Sequence, residues 1–234
     1  MRVIRSLVAV VAVSVMALIG GAHAGASVSY DVDGYSANTA YSGPVSTVYA
    51  TFTVPDFPGV AAWVDYQSTD DTFATYVQAG VEDASGPAAD CYYSTDEYNG
   101  ETQYAPPTLC SPGQTIEVFI QAPTYSTQGA TVVFDNETTA KSWSAKAAVP
   151  DTTCTGALFI VETNPTLGTP PSPFPDVTIS DAGTSLNAPL FTQGSDGVPL
   201  YGYYAYGLYY VDNQIPGAIT GPVSSASSFT VGPS

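Results

Sequence analysis

Basic residues are nearly absent from this chain. It carries four of them against 21 acidic residues, and two of the four, Arg2 and Arg5, lie at the extreme N-terminus. Histidine is scarcer still, with His23 the single copy. These rare residues fall in one pattern. Arg2 and Arg5 precede an uncharged apolar run from Leu7 to Ile19, and Ala22-His23-Ala24 then follows the small-x-small rule. That is the layout of a secretory signal peptide cleaved after Ala24. The run is short for a membrane anchor, and no second apolar span follows it. Residues 1–24 are therefore expected to be removed, leaving 25–234 as a secreted, extracellular chain; a retained anchor is the alternative reading of the same residues.

Cleavage would take the only histidine and half of the basic residues with it. What remains sets Lys141 and Lys146 against 21 carboxylates, a net charge near −19. Such a surface repels nucleic acid and anionic membranes, so neither is expected as a partner. It suits an acidic medium, where protonation relieves the self-repulsion, or serves solubility alone. Without histidine there is no Ser-His-Asp or Cys-His mechanism and no histidine-ligated zinc. Chemistry is left to carboxylates, Asn and Gln amides, tyrosine and two lysines. The Asp-Thr/Ser-Gly pair of aspartic proteases is also missing. No cofactor and no metal site is expected, since three scattered cysteines make a poor ligand set. Outside the cell they are more naturally disulfide partners. Cys91 and Cys110 bracket a loop rich in Tyr, Pro and Asn-Gly and form the expected bridge, with Cys154 free, although three cysteines allow three pairings.

Helical periodicity is scarce as well. Short runs rich in Val, Ile, Thr, Tyr and Phe alternate with Gly, Pro, Asp and Asn, the pattern of an all-β sandwich or barrel. Strands are expected at 47–54, 61–66, 72–81, 115–122, 131–136, 142–147, 157–163, 177–180, 201–211 and 227–231. Turns are expected at Ser111-Pro112-Gly113 and Asp135-Asn136, and a loop at the proline-rich patch from Thr169 to Pro175. With no linker or repeat, residues 25–234 form one domain, long enough to bury roughly 70% of its unfolded surface. Long strands in a single domain favour two packed antiparallel sheets.

Two polar residues stand out against these strands. The run Ala157-Leu158-Phe159-Ile160-Val161 is apolar until Glu162 closes it. By period-two alternation Glu162 shares a face with Ile160 and Leu158. Burial there would raise its pKa and suit it to acid or base work, whereas a strand-end Glu turned to water would do nothing. Gln78 shares a face with Tyr76 and Gly80, and the missing side chain at Gly80 permits a close approach to the backbone. A glutamine amide can orient a water or donate to an oxyanion without bringing charge.

These two residues sit within a longer series. Tyr49-Ala50-Thr51-Phe52-Thr53-Val54-Pro55, Ala61-Ala62-Trp63-Val64, Tyr76-Val77-Gln78-Ala79-Gly80-Val81, Ser111-Pro112-Gly113-Gln114-Thr115-Ile116, Asn136-Glu137-Thr138-Thr139 and Leu158-Phe159-Ile160-Val161-Glu162 follow in order. Phe174-Pro175-Asp176-Val177-Thr178-Ile179 and Ser227-Ser228-Phe229-Thr230-Val231 complete it. In order and spacing the series resembles the glutamic peptidases, the eqolisin family, over most of the chain. The resemblance implies a lectin-like, concanavalin-like jelly roll of two antiparallel sheets and an endopeptidase working at acidic pH. It implies that Glu162 and Gln78 are the catalytic pair. Glu162, ionised, would take a proton from the attacking water, and the Gln78 amide would stabilise the oxyanion. Trp63 maps onto the family's groove tryptophan. Tyr92 and Tyr93 stand in the family's aromatic block and are expected to bind substrate, a polypeptide, with the protein acting as a monomer. Two stretches depart from the family pattern: Asp65-Tyr66-Gln67-Ser68 replaces a Gly-Ile-Asp-Gly-like turn, so that the family's supporting Asp is missing or shifted to Asp65, and Cys91 to Tyr98 lacks the usual tryptophan.

Other functions fit the same kind of sandwich. A sugar-binding module or glycosidase could stack Trp63 and tyrosines on carbohydrate, and a glycosidase needs two carboxyls roughly 5 to 9.5 Å apart. The six glutamates show no telling spacing. A non-catalytic surface protein, or an inactive relative of the peptidases, is the third option. The tyrosine-rich run Tyr201 to Tyr210 could line a groove or simply pack a sheet. Asn136-Glu137-Thr138 is a formal glycosylation sequon.

Overall fold

The computed structural model describes residues 31–38, 47–67, 76–83, 89–95, 102–121, 129–147, 156–163, 168–184, 207–211, 215, 218–220 and 228–233. The expected signal peptide, Cys154, the first residues of the strand expected from Thr72 and the stretch 201–206 lie outside them. Among the described residues every regular element is a strand. No helix there is long and apolar enough to cross a membrane.

The strands are β1 (Asp31–Asn38), β2 (Thr47–Thr53), β3 (Val60–Gln67), β4 (Tyr76–Asp83), β5 (Ala89–Thr95), β6 (Thr102–Tyr104), β7 (Thr115–Gln121), β8 (Ala130–Asn136), β9 (Lys141–Ala147), β10 (Gly156–Thr163), β11 (Val177–Thr184), β12 (Gly207–Val211), β13 (Ala218–Thr220) and β14 (Phe229–Pro233). They form two seven-stranded sheets, ordered β12-β1-β10-β3-β4-β5-β6 and β13-β14-β11-β2-β7-β8-β9. The pairings are antiparallel throughout both. The expected two-sheet sandwich is thus the observed one.

Alternation explains the second sheet. In β7 and β8 every other residue is buried: Ile116, Val118 and Ile120 on one, Val132 and Phe134 on the other. Their alternate neighbours, such as Glu117 and Asp135, stay partly exposed. The first sheet differs, because β3 and β10 are buried on both faces. Their inner residues, Ala62, Val64, Phe159 and Val161, join the inter-sheet core. Their outer residues, Ala61, Trp63, Leu158 and Ile160, join Tyr92 in a separate apolar cluster. A continuous apolar run therefore serves two packing surfaces at once.

Four strands escape the sequence reading. β1 is rich in Asp, Gly, Ser and Asn and poor in β-formers; it is held by pairing with β10 and β12 on its two edges. β5, β6 and β13 are likewise built by their neighbours. Asp135-Asn136 is not a turn: both residues end β8, and the chain reverses at 137–140. Asn136 is buried, its amide donating to the Leu109 carbonyl at 2.5 Å and to Gln114 Oε1 at 2.7 Å, while its oxygen accepts from the Thr139 N–H. The expected turn at Ser111-Pro112-Gly113 is present, Gly113 donating to the Val54 carbonyl at 2.9 Å.

Cys91 and Cys110 are bridged, with Cα atoms 5.7 Å apart. Cys91 lies on the core face of β5, so the bridge ties the β6–β7 connection to the strand beside β4. Both lysines lie on β9, an edge strand of the second sheet. Charge there discourages pairing with another chain's edge.

Candidate active site

The outer face of the first sheet collects the polar residues. Backbone register arranges them in three rows across β10, β3, β4 and β5. Glu162, Ala61, Glu82 and Asp90 are level with one another. Ile160, Trp63, Gly80 and Tyr92 form the middle row, and Leu158, Asp65, Gln78 and Ser94 the third. Period-two alternation puts all of them on one side.

Glu162 is 5% exposed, and the Trp63 indole Nε1 donates to its Oε2 at 2.8 Å. Burial pushes its pKa from 4.5 up to about 7, the indole N–H opposing that rise and the Glu82 charge adding to it. The strand-end glutamate is therefore enclosed rather than wet. A carboxyl so shifted is a neutral acid at acidic pH, where the expectation was of an ionised starting form. The hydrogen bond on Oε2 leaves Oε1 as the oxygen that can exchange a proton.

Gln78 is partly buried, and its amide Nε2 donates to the Tyr92 hydroxyl at 3.0 Å. Burial and the charges of Glu162 and Glu82 hold the Tyr92 phenol above its usual pKa, so it stays neutral. The expected substrate-binding residue Tyr92 thus holds Gln78 in place. Tyr93 points the other way: it belongs to the inter-sheet core, its ring 6.1 Å from that of Trp143, and its hydroxyl bonds Gln103. Alternation alone separates the two tyrosines, and Tyr93 is withdrawn from the groove.

Gln78 and Glu162 share the face but not a row. β3 runs between their strands, and Gln78 lies four positions along β4 from Glu82, the residue level with Glu162. On a flat sheet this is two strand spacings, about 10 Å, by about 13 Å along the strand. Trp63 occupies the midpoint of that diagonal, and no hydrogen bond joins the pair among the described residues. Gly80 explains how the indole fits. A Cβ there would stand 2.6 Å from the Trp63 Cβ and 2.1 Å from the Ala62 carbonyl oxygen. What approaches the Gly80 backbone is thus Trp63 of the adjoining strand.

Two buried carboxyls on this face, Glu82 and Asp65, complete the picture; only Asp65 was singled out in the sequence, as the shifted position of the family's supporting Asp. Glu82 is buried, its pKa pushed from 4.5 to about 7 by burial and by Asp90, against a lowering hydrogen bond with Tyr104. Only Ala61 separates it from Glu162 in the row. Asp65 is 6% exposed, desolvation holds its pKa well above the usual range, and its Oδ1 has no hydrogen-bond partner. The alternation that singled out Glu162 would have placed both on this face, once the order of strands was known. Among the described residues no group of three His, Cys, Asp or Glu could hold a metal.

The outer face of the first sheet thus sets a proton-bearing carboxyl beside an indole. The chain matches the model of the Peptidase A4 family over residues 31–200, and it belongs to that family. It is thus a glutamic peptidase by family and a peptide-bond hydrolase by class, and the carbohydrate reading falls away. The fold matches that of scytalido-glutamic peptidase with a transition state analog inhibitor, at 19% identity, a TM-score of 0.57, and coverage of 87% of this chain and 98% of that one. It also matches SCP-B, a member of the eqolisin family in complex with the tripeptide Ala-Ile-His, at 18% identity, a TM-score of 0.53, and coverage of 88% and 100%. At such identities the likeness is one of fold. No curated protein sequence matches the chain.

Proposed function

We propose that this chain is a secreted endopeptidase active at acidic pH, cutting polypeptides as a monomer with Glu162 as its acid–base group and Gln78 as its oxyanion donor. Neither nucleic acid nor membrane is its partner, and residues 1–24 are its signal peptide. The observation that carries the reading is Glu162: enclosed, pushed up to about 7, and fixed on one oxygen by the Trp63 N–H.

At acidic pH Glu162 starts protonated. It gives its proton to the scissile carbonyl oxygen while a water attacks the carbon, and the carboxylate so formed takes a proton from that water. The Gln78 N–H donates to the oxygen as charge develops on it. In the second step Glu162 protonates the leaving nitrogen, the C–N bond breaks, and a hydroxyl of the gem-diol returns its proton to Glu162. Tyr92 holds the Gln78 amide.

The test is digestion of a denatured protein by purified 25–234 across acidic pH. Glu162→Gln should abolish cleavage, and Gln78→Ala should lower kcat by about 10² to 10³, the usual effect of losing an oxyanion donor. An active, folded Glu162→Gln protein would end the proposal, as would a wild type inert at every acidic pH. Secretion is checked separately by N-terminal sequencing of the exported protein, which should begin at Gly25.

A further inference from the structure

We propose that Asp65 is a substrate-binding residue, hydrogen-bonding the main chain of the peptide beside the group that Gln78 contacts. The inference rests on the peptidase reading above and adds a residue to it. Asp65 lies on β3, the middle strand of the first sheet, level with Leu158 on one side and Gln78 on the other. It is two residues from Trp63 and so faces the same way. Direct cross-strand neighbours keep their Cβ atoms about 4.5 to 5.5 Å apart, so Asp65 and Gln78 stand shoulder to shoulder.

Asp65 is as enclosed as Glu162, at 6% against 5% exposure. Its Oδ1 is buried without a hydrogen-bond partner. Buried polar atoms are almost always bonded, and leaving one unmade is costly, so the exceptions ask for a partner that arrives. The other unpartnered carboxyl, Asp83, alternates to the opposite face and ends its strand. Asp65 instead points into the face that carries the chemistry. Desolvation favours its neutral form, which offers both an O–H donor and a carbonyl acceptor. A peptide main chain supplies the complements of both, without the charge that would have to be buried with an ionic ligand.

The role predicts an unusual pair of effects. Asp65→Leu or Asp65→Ala removes an unsatisfied buried group, so the thermal midpoint should stay level or rise. The same variants should raise KM for an internally quenched peptide about tenfold, with kcat little changed. Asp65→Asn keeps a neutral donor and acceptor and should stay near wild type in KM. Affinity for the same peptide, measured on the Glu162→Gln background, reads Asp65 without turnover. That measurement separates a failure of this inference from a failure of the catalytic assignment. Unchanged KM and affinity in both the Leu and Ala variants would overturn the inference, leaving Asp65 bound to water. A lowered midpoint in both, with peptide affinity unaltered, would overturn it equally by making the residue structural.

Discussion

Replacing Glu162 by glutamine should make the chain more stable at neutral pH while removing its acid–base group. Glu162 titrates near 4.5 when exposed and at about 7 when folded. A group whose folded pKa is raised binds its proton more tightly in the native state. Its contribution is fully present below pH 4.5 and is lost as pH rises through about 7. A displacement of that size corresponds to about 3 kcal/mol. Glutamine is nearly isosteric, and its carbonyl can accept the Trp63 N–H as the neutral acid does. Urea unfolding at about pH 4 should therefore find the variant and wild type close. At about pH 8.5 the variant should be more stable by up to about 3 kcal/mol. The wider self-repulsion of an acidic surface weakens both proteins alike as pH rises, so the difference between the curves carries the result. Parallel curves for the two proteins would refute the buried, neutral Glu162 and the mechanism built on it.

Activity itself should fall as pH rises through about 7, since the reaction begins from protonated Glu162; a rising profile across that range would contradict the proton inventory. Glu82→Gln removes a charge that raises the Glu162 pKa, so the alkaline limb of kcat against pH should move to lower pH. Trp63→Phe deletes the N–H that opposes the rise; that limb should move to higher pH, and kcat should drop about tenfold as Glu162 loses its orientation. Gly80→Ala sets a Cβ 2.1 Å from the Ala62 carbonyl oxygen and should unfold at lower temperature than wild type in a melting curve. Replacing Cys91 and Cys110 together by alanine frees a loop with a sequence separation of 19 and should cost about 3 kcal/mol by denaturant titration, activity being kept where the chain still folds.

Much of the site was legible before the fold was known. The apolar run ending in Glu162 marked a carboxyl at the edge of a dry region, and alternation placed it with Ile160 and Leu158. Gln78 and Gly80 were singled out on the same grounds. Less legible were residues whose neighbours come from other strands. Tyr92 and Tyr93 are adjacent in the chain and were read alike, but one holds Gln78 and the other packs against Trp143. Glu82 lies level with Glu162 only because β3 runs between their strands with Ala61 at that row.

Composition alone argued against a basic binding face and, once residues 1–24 are removed, against histidine chemistry, because those depend on residues the chain hardly has. Periodicity alone indicated an all-β chain and, in the runs it marked, which side chains share a face, since a two-residue repeat is local. Order among strands is not local. It is decided when edges pair, and β1, with few strand-forming residues, takes its place because β10 and β12 complete its hydrogen bonds. Desolvation likewise belongs to the assembled sheet: a carboxyl acquires a pKa near 7 from the atoms that exclude water around it, and no stretch of sequence contains them all.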